Sequence, residues 1–164
     1  MSFRVAVLGA RGIGFFHTRI FKELGHQVCG ILGSSKETAD KAANKLYEAY
    51  GLNAVPFSNL DNLLNEINPD ILSICTPPEF HLEQLIKVLD FGKSVFCEKP
   101  IFWHNGINYT EVINGIERLE EYPQLILHVN TSNASFIDSI QHRIPPINQI
   151  KSFSFEFNTN GVHK

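Results

Sequence analysis

The chain has 164 residues, 43% hydrophobic and 19% charged, ordinary values for a globular protein of about one domain with a real core. A net charge of −3 gives no basic footprint for nucleic acid or an anionic membrane, so neither is expected as a partner. The opening MSFRVAVLGARG has too short an apolar run for a signal peptide, and no stretch approaches the length of a membrane-spanning helix. Cys29, Cys75 and Cys97 fall inside predicted strands without a C-x-x-C pair and read as reduced core thiols, which points to a cytoplasmic location. The seven histidines show no metal-ligand spacing, so no metal is expected.

Phe3 to Leu8 reads as a strand that runs into Gly9-Ala10-Arg11-Gly12-Ile13-Gly14 and then a helix to about Leu24. A strand, a tight glycine turn and a helix N-terminus make a cradle for an anionic pyrophosphate, because backbone N–H groups and the helix dipole both favour negative charge. Against G-x-G-x-x-G, Gly9 and Gly14 match the outer positions, while Arg11 stands where the middle glycine lets backbone approach the pyrophosphate. Arg11 must point away or pair with the diphosphate, with Gly12 supplying part of the lost freedom.

Gln27 to Leu32 is the second predicted strand. An NAD site carries Asp or Glu at this strand's end to accept the ribose hydroxyls; here the end reads Gly33-Ser34-Ser35-Lys36. Hydroxyls, a glycine and a cation suit a 2′-phosphate, so NADP is the expected cofactor and NAD the alternative. The serines also suit a helix cap, with Ser34 and Glu37 as a capping box, and both readings can hold together.

A helix then runs to about Tyr50 and Gly51, followed by a short strand Val55–Phe57 and a helix from Leu60 to Ile67, capped by Ser58 or Asn59 and ended by Asn68-Pro69. Ile71 to Cys75 is an apolar run of a strand buried on both faces, and Pro77-Pro78 stops it. Glu79 to Phe91 repeats apolar residues at helical spacing up to Gly92, and Ser94 to Cys97 is a second short strand ending in Glu98-Lys99-Pro100. Two parallel strands joined by a helix bind ligands beyond their carboxyl ends, which puts Thr76, Pro77, Glu98 and Lys99 on one rim. His81, in the first turn of the helix between them, either faces a cofactor or hydrogen-bonds a nearby loop carbonyl.

A helix from Ile107 to Glu121 and a strand from Gln124 to Asn130 follow; Ala134 to Ile144 fits a further helix, and Ile150 to Phe157 alternates like an antiparallel strand. The predicted fold is therefore a doubly wound parallel α/β sheet, a Rossmann fold, with strand order 3-2-1-4-5-6. Residues 1–148 form that domain.

TPPEFH and GKSVFCEKP resemble the TP-x-x-x-H and G-K-x-V-x-x-E-K-P motifs of the glucose-fructose oxidoreductase/inositol dehydrogenase (Gfo/Idh/MocA) family, in matching register. The likeness extends over about the first 130 residues. It implies the N-terminal NAD(P)-binding domain of an oxidoreductase that passes hydride between nicotinamide and a carbinol carbon of a small polyol, sugar or similar metabolite. It implies that Lys99 lies beside the nicotinamide and the reacting carbon, and that the Lys99–Pro100 peptide is cis. It further implies that residues 149–164 are the first strand of a second, α+β domain, otherwise largely missing, which supplies the substrate pocket, an acid/base histidine and a homo-oligomer interface in the full-length form; no histidine here matches that one. The alternative is a stand-alone NADP(H)-binding or sensing module without catalysis, against which the retained Lys99 counts.

Overall fold

The computed structural model describes residues 1–101 and 103–130, and Met1–Asn130 forms one compact unit. The predicted helix at 134–144, the strand at 150–157 and the domain boundary at 148 lie outside the described residues. Strands and helices alternate: β1 (Arg4–Leu8), α1 (Ile13–Glu23), β2 (Gln27–Leu32), α2 (Lys36–Tyr50), β3 (Val55–Phe57), α3 (Leu60–Ile67), β4 (Ile71–Ile74), α4 (His81–Asp90), β5 (Ser94–Glu98), α5 (Tyr109–Glu120) and β6 (Leu127–Asn130). A 3₁₀ turn at Pro78–Phe80 leads into α4, where the periodicity alone predicts α-helix from Glu79; Pro78 in the first turn has no N–H to give. β6 starts three residues later than expected, because Leu125 N–H closes a turn onto the Tyr122 carbonyl at 3.1 Å.

Helix ends follow local chemistry. α2 stops at Gly51 in the left-handed region (φ 64°), and α3 stops at Asn68 (φ 46°) just before Pro69. Asn59 caps α3 through the Asn62 N–H. Asn108 and Glu111 form a reciprocal capping box at the start of α5, two residues inside the expected boundary.

The described strands are all parallel, in the order β3-β2-β1-β4-β5-β6 that the sequence pattern predicts. Chain order reverses beside β1, which pairs with β2 on one side and β4 on the other. That is the switch point, where an open α/β sheet leaves a crevice at its carboxyl edge. The strand ends are level across the sheet: Phe57, Leu32, Leu8, Ile74, Cys97 and Val129 lie in one row of register partners. The described residues one or two positions past that row therefore emerge on the same rim.

The core has two halves because the sheet is buried on both faces. Along β1, Val5 and Val7 pack with Ile31 and Leu46 under α1 and α2, while Ala6 and Leu8 pack with Leu72, Leu85 and Val88 under α3 and α4. Alternation of side chains on an extended strand sends successive residues to opposite faces. None of the described helices is long and apolar enough to cross a membrane.

Leu85, fully buried at the centre of α4, fastens that helix to the sheet. Replacing it with alanine is expected to cost about 2–5 kcal/mol, read as a lower denaturant midpoint at unchanged slope. A cost below about 0.5 kcal/mol, the size of an ordinary surface change, would show that α4 does not depend on this contact.

Candidate functional site

The turn from β1 into α1 is built on close approach. Gly9 has φ +85°, and a β-carbon there would lie 2.7 Å from the Cys75 carbonyl oxygen; one on Gly14 would lie 2.1 Å from the Gly9 carbonyl oxygen. Neither position has room for a side chain, so the first turn of α1 sits directly over the ends of β1 and β4. Gly12 (φ 53°) stands at the helix N-cap with no side-chain cap, and no acidic residue occupies the first turn. The leading N–H groups, beginning at Ile13, thus meet no competing carboxylate, which suits an anionic ligand. Arg11, in the middle-glycine position, is exposed with ordinary backbone; the positive φ has moved to Gly12.

Beside this turn a cleft of about 360 Å³ opens, lined among others by Gly9, Arg11, Gly33, Ser34, Thr38 and Thr76. Gly33 is at the end of β2, where a β-carbon would lie 2.6 Å from Ala39 N, so α2 begins pressed against the strand end. The cap of α2 differs from the expected Ser34–Glu37 box: Ser35 is the N-cap and accepts from the Thr38 N–H, while Thr38 Oγ1 accepts from the Ser35 N–H. Both serines suit a cap, and the extended backbone of Ser35 (φ −152°, ψ 166°) decides between them. Ser35 is therefore held by the helix, Lys36 pairs with Asp40 one turn on, and Ser34 remains on the cleft wall. Thr38 joins it there, a residue the sequence reading passed over.

On the other side of the switch point, Thr76 Oγ donates to Gln84 Oε1 at 2.7 Å, and Pro77 and Phe80 complete that wall. His81 is buried and turned to backbone: its ring nitrogens lie 2.7 Å from the carbonyl oxygens of Thr76 and Pro100. Of the two readings for His81, the loop-carbonyl one describes these contacts. Lys99 is exposed at the end of β5, with no hydrogen bond or ion pair among the described residues, and the Lys99–Pro100 peptide is cis.

Glu98 points inward. It is 8% exposed, and its Oε1 lies 3.0 Å from His17 Nε2. His17 Nδ1 in turn lies 2.8 Å from Ser73 Oγ and 3.2 Å from Cys75 Sγ. A neutral ring satisfies all of this: Nε2–H donates to the carboxylate and Nδ1 accepts from the Ser73 hydroxyl. Burial holds the His17 imidazole below the ordinary histidine range, with the Glu98 charge and hydrogen bond opposing. The Ser–His–Glu order superficially matches a hydrolytic triad, but Ser73 is fully buried and no substrate reaches it. Cys75 is no nucleophile either, since burial pushes its thiol up to about 12. His17 was absent from the residues singled out in the sequence; its signal is the shared helix face with Gly14 and Thr18, all three buried. Among the described residues no cluster of His, Cys, Asp or Glu is arranged to hold a metal.

A family model described as an oxidoreductase family with an NAD-binding Rossmann fold, Gfo/Idh/MocA, matches residues 3–131. The chain belongs to this family. Among curated relatives, D-glucoside 3-dehydrogenase of Escherichia coli is 40% identical over 58 residues, 35% of this chain and 16% of that protein. Inositol 2-dehydrogenase of Azotobacter vinelandii is 29% identical over 103 residues, 62% of this chain and 29% of the relative. Scyllo-inositol dehydrogenase of Lactobacillus casei, solved with NAD(H) and scyllo-inositol, aligns with a TM-score of 0.69 at 19% identity, covering 87% of this chain and 42% of that one; the likeness is one of fold. The matched stretch spans less than a third of the length of these curated relatives. As a Gfo/Idh/MocA chain it carries the NAD-binding domain, and the glycine turn with its exposed helix N-terminus fits a dinucleotide pyrophosphate.

The His17 contact makes stability depend on pH with a definite sign. The unfolded chain takes up this proton near the ordinary value of 6.5, the folded chain only at lower pH. Between those points the unfolded state holds more protons, so stability falls as pH falls. The melting temperature is expected to drop on acidification from about pH 7.5 through the histidine range, and less steeply in His17→Gln. Equal slopes in the two proteins would contradict the assignment.

Proposed function

We propose that this Gfo/Idh/MocA chain binds NADP(H) in preference to NAD(H), as the cofactor-holding part of an oxidoreductase acting on a carbinol carbon of a small polyol or sugar. The observation that carries the cofactor preference is the wall of the cleft at the end of β2. No acidic side chain among the described residues lines it; Ser34, Thr38 and Arg11 do. A ribose diol calls for a carboxylate acceptor, whereas a 2′-phosphate calls for hydroxyl donors and positive charge. An adjoining recess of about 250 Å³, which shares Arg11 and Thr38, adds Lys45 to that potential, while the Lys41 charge there is paired with Glu37 at 2.6 Å. The substrate class follows the relatives, whose names are those of glucoside and inositol dehydrogenases.

When bound, the nicotinamide cofactor supplies or accepts the hydride. The chain's own groups bind and orient. Gly12 and Ile13 offer their backbone N–H groups to the pyrophosphate, those of Gly9 and Gly14 being held by the Leu32 and Arg11 carbonyls, and Arg11 faces the same cleft. Lys99, at the end of β5, places a positive charge on the rim where a substrate carbonyl oxygen gains negative charge during reduction. Its lack of a competing partner among the described residues leaves that charge available.

Calorimetric titration with NADPH and NADH tests the preference. NADPH is expected to bind about tenfold or more tightly, the worth of one charge-assisted hydrogen bond. Ser34→Asp is expected to reverse the order, by repelling the 2′-phosphate and accepting the ribose hydroxyls. Equal or tighter NADH binding by the unaltered chain would mean that the hydroxyls serve only as helix caps.

A further inference from the structure

Two loops of the rim, one after β4 and one after β5, are joined through a single side chain. His81 is 1% exposed, with Nε2 2.7 Å from the Thr76 carbonyl oxygen and Nδ1 2.7 Å from the Pro100 carbonyl oxygen. A carbonyl oxygen accepts and never donates, so each of these contacts demands an N–H. A neutral imidazole has one N–H; its second nitrogen would turn a lone pair against a carbonyl lone pair at 2.7 Å. His17 is the internal contrast, because its partners are a hydroxyl on one side and a carboxylate on the other, and a neutral ring meets both. The two buried histidines of the site thus differ in what their surroundings ask of them.

We infer that His81 is a positioning residue of the cofactor site: a doubly protonated imidazolium that clasps the loop after β4 to the loop after β5. The inference rests on the reading that the cofactor lies along these strand ends. Thr76 lines the cleft, and Pro100 follows Lys99 directly, so the clasp sets the spacing between the cleft wall and the turn that presents the lysine. An ionised donor makes a stronger hydrogen bond than a neutral one, and burial away from water removes the competitor for both carbonyls. A buried cation is costly unless it is hydrogen-bonded and faces negative charge; both N–H groups here meet carbonyl oxygens, the negative ends of peptide dipoles. Glutamine offers an N–H₂ at one end and a carbonyl at the other, so His81→Gln can hold one loop and not both.

Ring-nitrogen NMR of the chain without ligand, at neutral pH, tests the clasp directly, with the His81 signals assigned by through-bond correlation of the ring to its own backbone. Both ring nitrogens are expected to carry a proton, while His17 shows one protonated and one bare nitrogen. A bare nitrogen on His81 would overturn the inference, and that result needs no variant to fold. In titrations, His81→Gln that unfolds cooperatively is expected to bind NADPH about tenfold more weakly than the unaltered chain. Unchanged affinity would equally overturn the positioning role. Failure of the unaltered chain to bind either dinucleotide would count against the cofactor reading, and the ring spectrum would still decide the clasp.

Discussion

Where β1 turns into α1, the chain passes so close to itself that two side chains are forbidden. A β-carbon on Gly14 would come within 2.1 Å of the Gly9 carbonyl oxygen, and one on Gly9 within 2.7 Å of the Cys75 carbonyl oxygen. That approach seats the first turn of α1 on the switch point between β1 and β4, with its leading N–H groups over the crevice. It also fixes the azimuth of α1, so that His17, one turn on, reaches Ser73 on β4 and Glu98 on β5. The N-terminal half of α1 and the strand that leads to Lys99 are therefore tied by one buried side chain.

The level strand ends explain why the polar residues of the site collect on one rim, and burial sorts them into two kinds. Glu98, His17 and His81 are turned inward and hold strands, helices and loops in register. Arg11, Ser34, Thr38 and Thr76 face the cleft, and Lys99 stands exposed at its β5 end. The inward group carries the more demanding chemistry, since a buried polar atom without a partner is costly. Its partners come from distant parts of the chain: His17 meets residues 56 and 58 positions away, and His81 meets Pro100 19 positions away. Such contacts stiffen the rim on which a ligand would rest.

The alternation of strands and helices was legible because its signals are local: apolar runs between prolines, helical spacing of leucines, glycines and Asn68 at helix ends. Strand order followed from topology rules acting on that alternation. The cap of α2 was misread by one residue, since Ser34 and Ser35 are chemically equivalent and only backbone conformation separates them. Glu98 was expected on the cofactor side of the rim, and nothing in the residues around it announces a histidine on α1. His17 and His81 show the limit most clearly. A ring's role depends on what faces each nitrogen, and those partners are brought together only by the fold.

Following the backbone amides of the isotopically labelled chain during titration with NADPH tests the placement of the dinucleotide most directly. The expected result is saturable shifts concentrated at Gly12, Ile13 and Gly14, from the pyrophosphate, and at Gly33, Ser34 and Thr38, from the phosphorylated ribose. Shifts confined instead to the groove of about 440 Å³ between α4 and α5, around Leu82, Ile86 and Gly115, would contradict it, as would no saturable shift at all.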